Sequence, residues 1–450
     1  MLRRSWWWIL GVLFLWAGPL QAQGAYRAGL ASTDITPEGP IWMAGYGNRN
    51  KPSQGVDAPL RAKVFALQYE EEKPLVLITA DIIGFSREVA EDIAGQLQKK
   101  FTLPRENILL SASHTHTGPV IGHNLTGMFD LKGAEAEAIQ KYTRLLVGRI
   151  VTAAGAALAK TEPVKLSVGR GKATFAVNRR VFRAAGVGFG VNPDGPVDWE
   201  VPVLRVDDAQ GKVKAIVFGY ACHCTTLGGD HYNLGGDWAG YAQEYLERAH
   251  PGALALFVTG CGGDANPEPR GKLAYAPQHG LEIAGAVSRV LSGPRQPVAG
   301  KLRAVFERVD LPLAKPPTRA EFEKRLKDKN VFIQRHARRH LDMLDRGEKL
   351  MTSYPCPVQV WHFGQDLTLV ALGGEVVVDY ALRLKRELSG TNLWMAAYAN
   401  DVFAYVPSTR ILIEGGYEAD FNLIYYGLPC RFSNDVEEVL VKKIRTLVKR

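Results

Sequence analysis

Cysteine is scarce: five residues in 450, at positions 222, 224, 261, 356 and 430. An odd, scattered set cannot form a closed disulfide framework, so at least one thiol is free or pairs outside the chain. A core of this size needs no such staples. No stretch reaches the roughly 20 consecutive apolar residues of a membrane-spanning helix. Internal repeats and low-complexity tracts are absent, and 46 Gly with 25 Pro is an ordinary share that excludes collagen-like, coiled-coil and disordered chains. Acidic excess is missing too: Lys and Arg number 55 against 46 Asp and Glu, a formal charge of +9.

The basic balance favours anionic surfaces, and peripheral contact with an anionic membrane is expected from it. The richest segment, 319 to 350, mixes Lys324, Arg325, Lys327, Arg335, Arg338 and Arg339 with Glu321, Glu323, Asp342 and Asp345, the pattern of solvated helix faces. No motif interleaves aromatics with these charges, so a nucleic-acid partner is excluded. Residues 1 to 22 read as a signal peptide: Arg3 and Arg4, then an apolar run from Trp6 to Gly18, then Pro19 and Ala22. The expected mature chain, 23 to 450, is exported and is secreted or periplasmic. Its oligomeric state is not legible.

Short apolar runs predict buried strands at Pro74–Ala80, Ile108–Ala112, Ala215–Ala221, Ala253–Val258, Leu367–Leu372 and Leu393–Tyr398. Amphipathic stretches predict helices at Arg87–Lys100, Ala134–Leu158, Trp238–Ala249, Gly280–Leu291 and Val376–Leu388. This alternation predicts an α/β or mixed α+β enzyme, a large mixed sheet with functional loops at the strand ends. The loops bear that out in composition: SHTHTGP with His114 and His116, CHC with His223, TGCGGDANP, GGE with Glu375, and ANDVFAYVPS with Tyr405.

His114 and His116 are two residues apart, and in extended backbone both rings would face one side and could share an ion. A pair of hydrogen-bonded surface histidines is the other reading. Strand periodicity sends Cys222 and Cys224 to one face and His223 to the opposite one, so a joint Cys-His-Cys site is unfavoured and the cysteines read as core. Glu375 follows two glycines and is expected to open a helix, where the dipole favours a carboxylate; an ordinary first-turn glutamate is the alternative. Two histidines, a glutamate and an open position would describe a catalytic zinc. GVGFGVNPDG, 186 to 195, reads as a turn rather than a nucleotide loop, since no strand closely precedes it and Pro193 forbids the helix start. Asn124-Leu125-Thr126 forms a glycosylation sequon.

In order and spacing, several segments together resemble the neutral ceramidase family: GLASTDITPEGPIWMAGYG, NILLSASHTHTGP, AVNRRV, LGGDWAGYAQEYLE, FVTGCGGDANP, VALGGEVVV and YVPSTRILIEGGYE, spanning roughly Ala25 to Cys430. The resemblance implies a Zn2+-dependent amidase acting on the N-acyl bond of ceramide, a small-molecule N-acyl lipid. It implies His114, His223, Glu375 and Tyr405 as zinc ligands, with His116, Arg179 and Tyr417 around the substrate. One departure stands out. Where the family reads a serine, this chain has Asn266, and an amide cannot perform a serine's covalent chemistry. A zinc-bound water is therefore the expected nucleophile, with His116 moving its proton, Tyr417 and Arg179 stabilising the oxyanion and Asn266 donating to substrate. The chain stops near residue 450, so the immunoglobulin-like carboxy-terminal domain of many relatives is expected to be absent. Two other readings stay open: a hydrolase of a different envelope N-acyl compound or ester, and a catalytically impaired relative that binds a lipid or glycan.

Overall fold

Along the strand Arg61–Tyr69, Ala62, Val64 and Ala66 belong to one apolar cluster and Phe65 and Leu67 to another. Side chains alternate across a strand, so this strand lies between two cores. The same division recurs at Leu75–Ala80, at Val213–Tyr220 and at Leu254–Thr259. These strands are near-continuously apolar because both faces are covered. The computed structural model describes residues 26–125 and 127–450. The expected leader and Thr126 of the sequon lie outside the described residues.

A nine-stranded mixed sheet runs in the order Leu254–Thr259, Val213–Tyr220, Glu200–Asp208, Glu162–Lys172, Tyr26–Asp34, Arg61–Tyr69, Leu75–Ala80, Ile108–Ala112, with Gln296–Val298 added beside Glu162–Lys172. A second sheet has the order Leu302–Pro312, Ser353–Phe363, Leu367–Leu372, Leu393–Ala396. The two share one core, with Phe65, Leu77 and Leu256 against Trp361, Leu369 and Trp394. Helices Arg87–Phe101, Ala134–Ala159, Asp237–Ala249 and Tyr275–Ser292 cover the outer face of the large sheet, and Val378–Glu387 and Val436–Val448 cover that of the small one. The architecture is a mixed α/β fold of helices, sheet, sheet, helices, as the alternation of patterns implied.

The large sheet curls. Thr259 Oγ1 donates to Ala112 O at 2.7 Å, which ties the carboxyl ends of its two edge strands together. The segment after Leu393–Ala396 enters the seam, with Ala397 N bonding Thr259 O and Ala112 N bonding Tyr398 O. Loops leaving four strands therefore emerge at one place, which is what positions the site.

The predicted strands and helices all form, Ile108–Ala112 and Leu367–Leu372 with unchanged bounds and the others with ends shifted by at most five residues. The largest shift is the helix Tyr275–Ser292, expected to begin at Gly280. Gly280 instead lies inside it: a Cβ there would come within 2.6 Å of Tyr241 Cβ, so glycine permits the close approach of the neighbouring helix. Two expectations fail. Residues 186 to 195 are not simply a turn; Gly186–Asn192 is a strand antiparallel to Ala176–Arg183, and its alternating glycines hid the period. Glu375 does not open a helix, because Glu375–Val376 is a short strand parallel to Tyr405–Val406 and the helix starts at Val378. Tertiary pairing, not a helix dipole, sets that carboxylate.

Candidate active site

His114 sits two residues past the strand Ile108–Ala112 with φ of 59°, so the pair His114-Thr115-His116 is not extended as the spacing argument assumed. The rings meet nonetheless, Nε2 to Nε2 at 3.1 Å. His223 follows Val213–Tyr220; Cys222 and Cys224 turn into the core and His223 into the seam, as alternation predicted. All five thiols are free.

Backbone carbonyls set the histidine tautomers. His114 Nδ1 lies 2.6 Å from Ile83 O, and His223 Nδ1 lies 2.7 Å from Gly262 O. A carbonyl only accepts, so each Nδ1 carries the proton and each Nε2 presents a lone pair. The Gly262 carbonyl reaches this spot because its loop lies flat on the chain; a Cβ there would be 2.6 Å from Cys222 N. Both lone pairs point at one carboxylate oxygen: Glu375 Oε2 is 3.1 Å from His114 Nε2 and 3.0 Å from His223 Nε2. Tyr405 Oη is 2.9 Å from His223 Nε2, and Tyr426 donates to Glu375 Oε1 at 2.5 Å. Burial together with the neighbouring Arg179 pushes His223 down to about 4, and burial holds the Tyr405 phenol well above its usual value. At neutral pH a carboxylate oxygen thus faces imidazole lone pairs in a site where Glu375 is only 3% exposed and His223 is 0% exposed. That arrangement is repulsive by itself and attractive around a cation. His114, His116 and His223 have ring nitrogens within 4.8 Å of one another and could hold a metal. The donor set fits a divalent ion that takes nitrogen and oxygen, with carbonyl partners orienting the rings.

The remaining predicted residues join this centre. Arg179 donates from Nη2 to Tyr405 Oη at 3.0 Å, from Nη1 to Asn266 Oδ1 at 3.3 Å, and from Nε to Glu418 Oε1 at 2.8 Å. A guanidinium only donates, so the amide atom facing it is Oδ1; Thr225 Oγ1 donates to the same oxygen at 3.2 Å. Asn266 Nδ2 is left without a protein partner among the described residues. Tyr417 stands edge-on to Tyr405 with ring centres 5.3 Å apart. His116 packs on Tyr46 at 4.9 Å, and its buried Nδ1 has no partner. Burial, then His114 and His223, hold its ring well below the usual imidazole range.

Several residues of the site were not anticipated. Glu418 clamps both Arg179 and Arg180, Nη1 of the latter at 2.5 Å. Adjacent strand residues normally face opposite sides; the register shift between Asn178 and Arg180 lets both reach one carboxylate. Glu418 stood next to Tyr417 in GGYEADF, a visible if unspecific signal. Tyr426, Thr225 and Tyr398, whose ring is tilted against His114 with centres 4.4 Å apart, had none.

A family profile described as "Neutral/alkaline non-lysosomal ceramidase, N-terminal" matches residues 26–275. The chain belongs to this family. The match spans His114, His116, Arg179, His223 and Asn266; Glu375, Tyr405 and Tyr417 lie beyond it and join through the fold. Neutral ceramidase from Pseudomonas aeruginosa is 24% identical over 318 residues, covering 66% of this chain and 46% of that protein. Neutral ceramidase A of Dictyostelium discoideum is 26% identical over 273 residues, 56% of this chain and 37% of that one. The chain thus spans less than half the length of these relatives. The crystal structure of the Pseudomonas aeruginosa neutral ceramidase shares its fold, with a TM-score of 0.72 at 20% identity, over 94% of this chain and 73% of that one.

A pH dependence follows from His223. Unfolded, an imidazole titrates near 6.5; folded, this one titrates near about 4. Between these values the unfolded state binds more protons, so stability present above pH 6.5 is lost as the pH falls towards 4, by roughly 3 kcal/mol from this group. Urea denaturation of chelator-treated protein checks it: the stability difference between wild type and His223→Gln should shrink as pH falls across that window.

Proposed function

We propose that the protein is a zinc-dependent amidohydrolase that cleaves the N-acyl amide bond of ceramide or a related N-acyl lipid outside the cytoplasm. The observation that carries this reading is the buried Glu375 oxygen between two imidazole lone pairs, beside a phenol, in a chain of the ceramidase family. His114, His223, Glu375 and Tyr405 would hold Zn2+, which when bound supplies a Lewis acid and lowers the pKa of a water to about 7. Export rests on the leader-like pattern of residues 1 to 22.

His116 is the proton carrier. Its Nε2 faces the cluster, 3.1 Å from His114 Nε2, and its neutrality suits it to take the proton of the attacking water and return it to the leaving amine nitrogen as the C–N bond breaks. The products are a carboxylic acid and a free amine. Tyr417 donates to the oxygen on which negative charge develops, and the free Asn266 Nδ2 donates to substrate. Arg179 commits three of its nitrogens to Glu418, Tyr405, Asn266 and His223, so its part is to hold Tyr405 and Asn266 in place and to supply positive charge behind them.

The test is hydrolysis of an N-acylsphingosine panel with and without chelator. Cleavage should disappear on chelation and return with Zn2+; cleavage that survives complete metal removal overturns the mechanism. Asn266 itself favours a second reading, a hydrolase of a different envelope N-acyl compound. If Asn266→Ser creates ceramide cleavage that wild type lacks, that second reading holds.

A further inference from the structure

The hairpin that carries Arg179 also carries the densest group of exposed apolar side chains. Of ten large hydrophobic residues exposed among the described residues, three lie within ten positions of each other: Phe182 at 62%, Phe189 at 51% and Val191 at 54%. They flank the tip of the pair Ala176–Arg183 and Gly186–Asn192, and the tip residues 182 to 186 are all exposed. Between Val181 and Asn192 the one charged side chain is Arg183, and its Nη2 caps Phe189 O at 2.8 Å. Gly186–Asn192 is moreover an edge strand, since the three-stranded sheet ends on it. A long apolar edge in water is a liability unless something covers it.

Beside the hairpin lies a cavity of about 600 Å³ lined by Val187, Phe189, Ile333, Tyr417, Phe421 and Ile424. Tyr417 is thus shared between this apolar cavity and the ring contact with Tyr405. Arg325 and Asp328 also line it, and the end of the helix Arg319–Arg325 together with the loop after it exposes Lys324, Lys327 and Lys329 as well as Asp328. Asp420 is the further acidic lining group, while Glu418 is held by Arg179 and Arg180.

We propose that the hairpin tip, Phe182 to Val191, inserts into the interfacial layer of an anionic lipid bilayer, with Arg183 and the Lys324–Lys329 segment facing the headgroups. The projection carries one charge, Arg183, and the neighbouring segment 324 to 329 sets four cations against Asp328, which is the chemistry of an interfacial anchor: apolar burial gives depth and the net positive charge gives preference for negative lipid. On the lipid-amidase reading, on which this inference rests for its purpose, a lipid would pass from the bilayer along Phe189 and Val187 to Tyr417 and the metal centre.

The test needs no substrate. The full chain is floated with phosphatidylcholine vesicles, with and without phosphatidylglycerol. Wild type should float with both and more strongly with phosphatidylglycerol. Phe182→Ser with Val191→Ser should lower partitioning at least about tenfold, and Phe182→Trp should keep it. Arg183→Gln should lower binding to the phosphatidylglycerol vesicles alone, about fivefold. None of these side chains belongs to the metal centre, so hydrolysis of a soluble short-chain N-acyl amine should be unchanged. Wild type that stays with the soluble fraction, or a Phe182→Ser/Val191→Ser variant that floats as well as wild type, overturns the proposal. So does a wild-type dimer that this double variant turns into monomer, since the edge would then pair with a second copy. Intact flotation without any amide hydrolysis would instead sink the proposed function and leave the anchor standing.

Discussion

Glu375→Ala is expected to lose the metal and the activity together, with kcat/KM down by at least about 10³-fold, since a Lewis-acid centre supplies several kcal/mol of transition-state stabilisation. The carboxylate is the one formal negative charge among His114, His223, Glu375 and Tyr405, and its Oε2 is the atom on which both imidazoles converge. Without it, two neutral nitrogens and a phenol whose proton is held by burial remain, a poor set for a dication. Metal content after dialysis, measured beside activity, checks the prediction; an alanine variant that keeps stoichiometric zinc and turnover would falsify the assigned ligand set. A second consequence distinguishes metal binding from scaffolding. Wild type stripped of metal retains an anionic oxygen facing lone pairs, and the variant does not. The metal-free variant should therefore lose no more stability than the orphaned Tyr426 hydroxyl costs, about 1–3 kcal/mol, relative to metal-free wild type. The backbone pairing of Glu375–Val376 with Tyr405–Val406 does not depend on the side chain. Tyr426→Phe, which removes only the hydroxyl on Oε1, should weaken metal binding by about 10 to 100-fold, the usual scale for a partner of a ligand.

Glu418→Ala carries the second large effect, here on stability as well as rate. Glu418, Arg179 and Arg180 have side chains at most 5% exposed. Deleting the carboxylate leaves two guanidiniums buried side by side, and breaking such a set from one side costs about 3–5 kcal/mol. Arg180 keeps Glu414 and the Gly415 carbonyl, so Arg179 is the group set adrift. Its donors then no longer hold Tyr405 Oη and Asn266 Oδ1 in place, and kcat should fall by about 10²-fold or more, on the scale of losing one preorganised electrostatic partner. Denaturant melts and single-turnover rates measure the two effects separately. A variant within about 1 kcal/mol of wild type would show that the triad is not the clamp its geometry describes.

Four strands of the large sheet, Leu75–Ala80, Ile108–Ala112, Val213–Tyr220 and Leu254–Thr259, were legible because burial on both faces writes itself as short continuous apolar runs; its other five, such as Tyr26–Asp34 and Glu162–Lys172, interleave polar and charged residues and were missed. The histidines were legible because they end such runs. Other features escaped for identifiable reasons. The hairpin strand Gly186–Asn192 alternates glycine with apolar residues, so it carries no polar phase to read. The helix at Tyr275 begins before its apolar period does. Glu375 looked like a helix start because GGE is a helix-entry pattern, whereas its conformation comes from a partner 30 residues later, Tyr405. The His114 and His116 rings meet as expected but by a left-handed residue rather than by extension, a detail that spacing does not encode.

The sequence alone determined the alternation of buried strands and amphipathic helices, the family to which the chain belongs, and the identity of the chemical groups available at the strand ends. These are properties of local periodicity and of residue type. Only the tertiary structure decided that those groups share one centre. Thr259 must reach Ala112 to curl the sheet, the Ile83 and Gly262 carbonyls must choose the histidine tautomers, and Glu418 must gather two adjacent arginines across a strand irregularity. Each of these contacts joins residues tens to hundreds of positions apart, and their geometry depends on packing between layers, which no local pattern specifies.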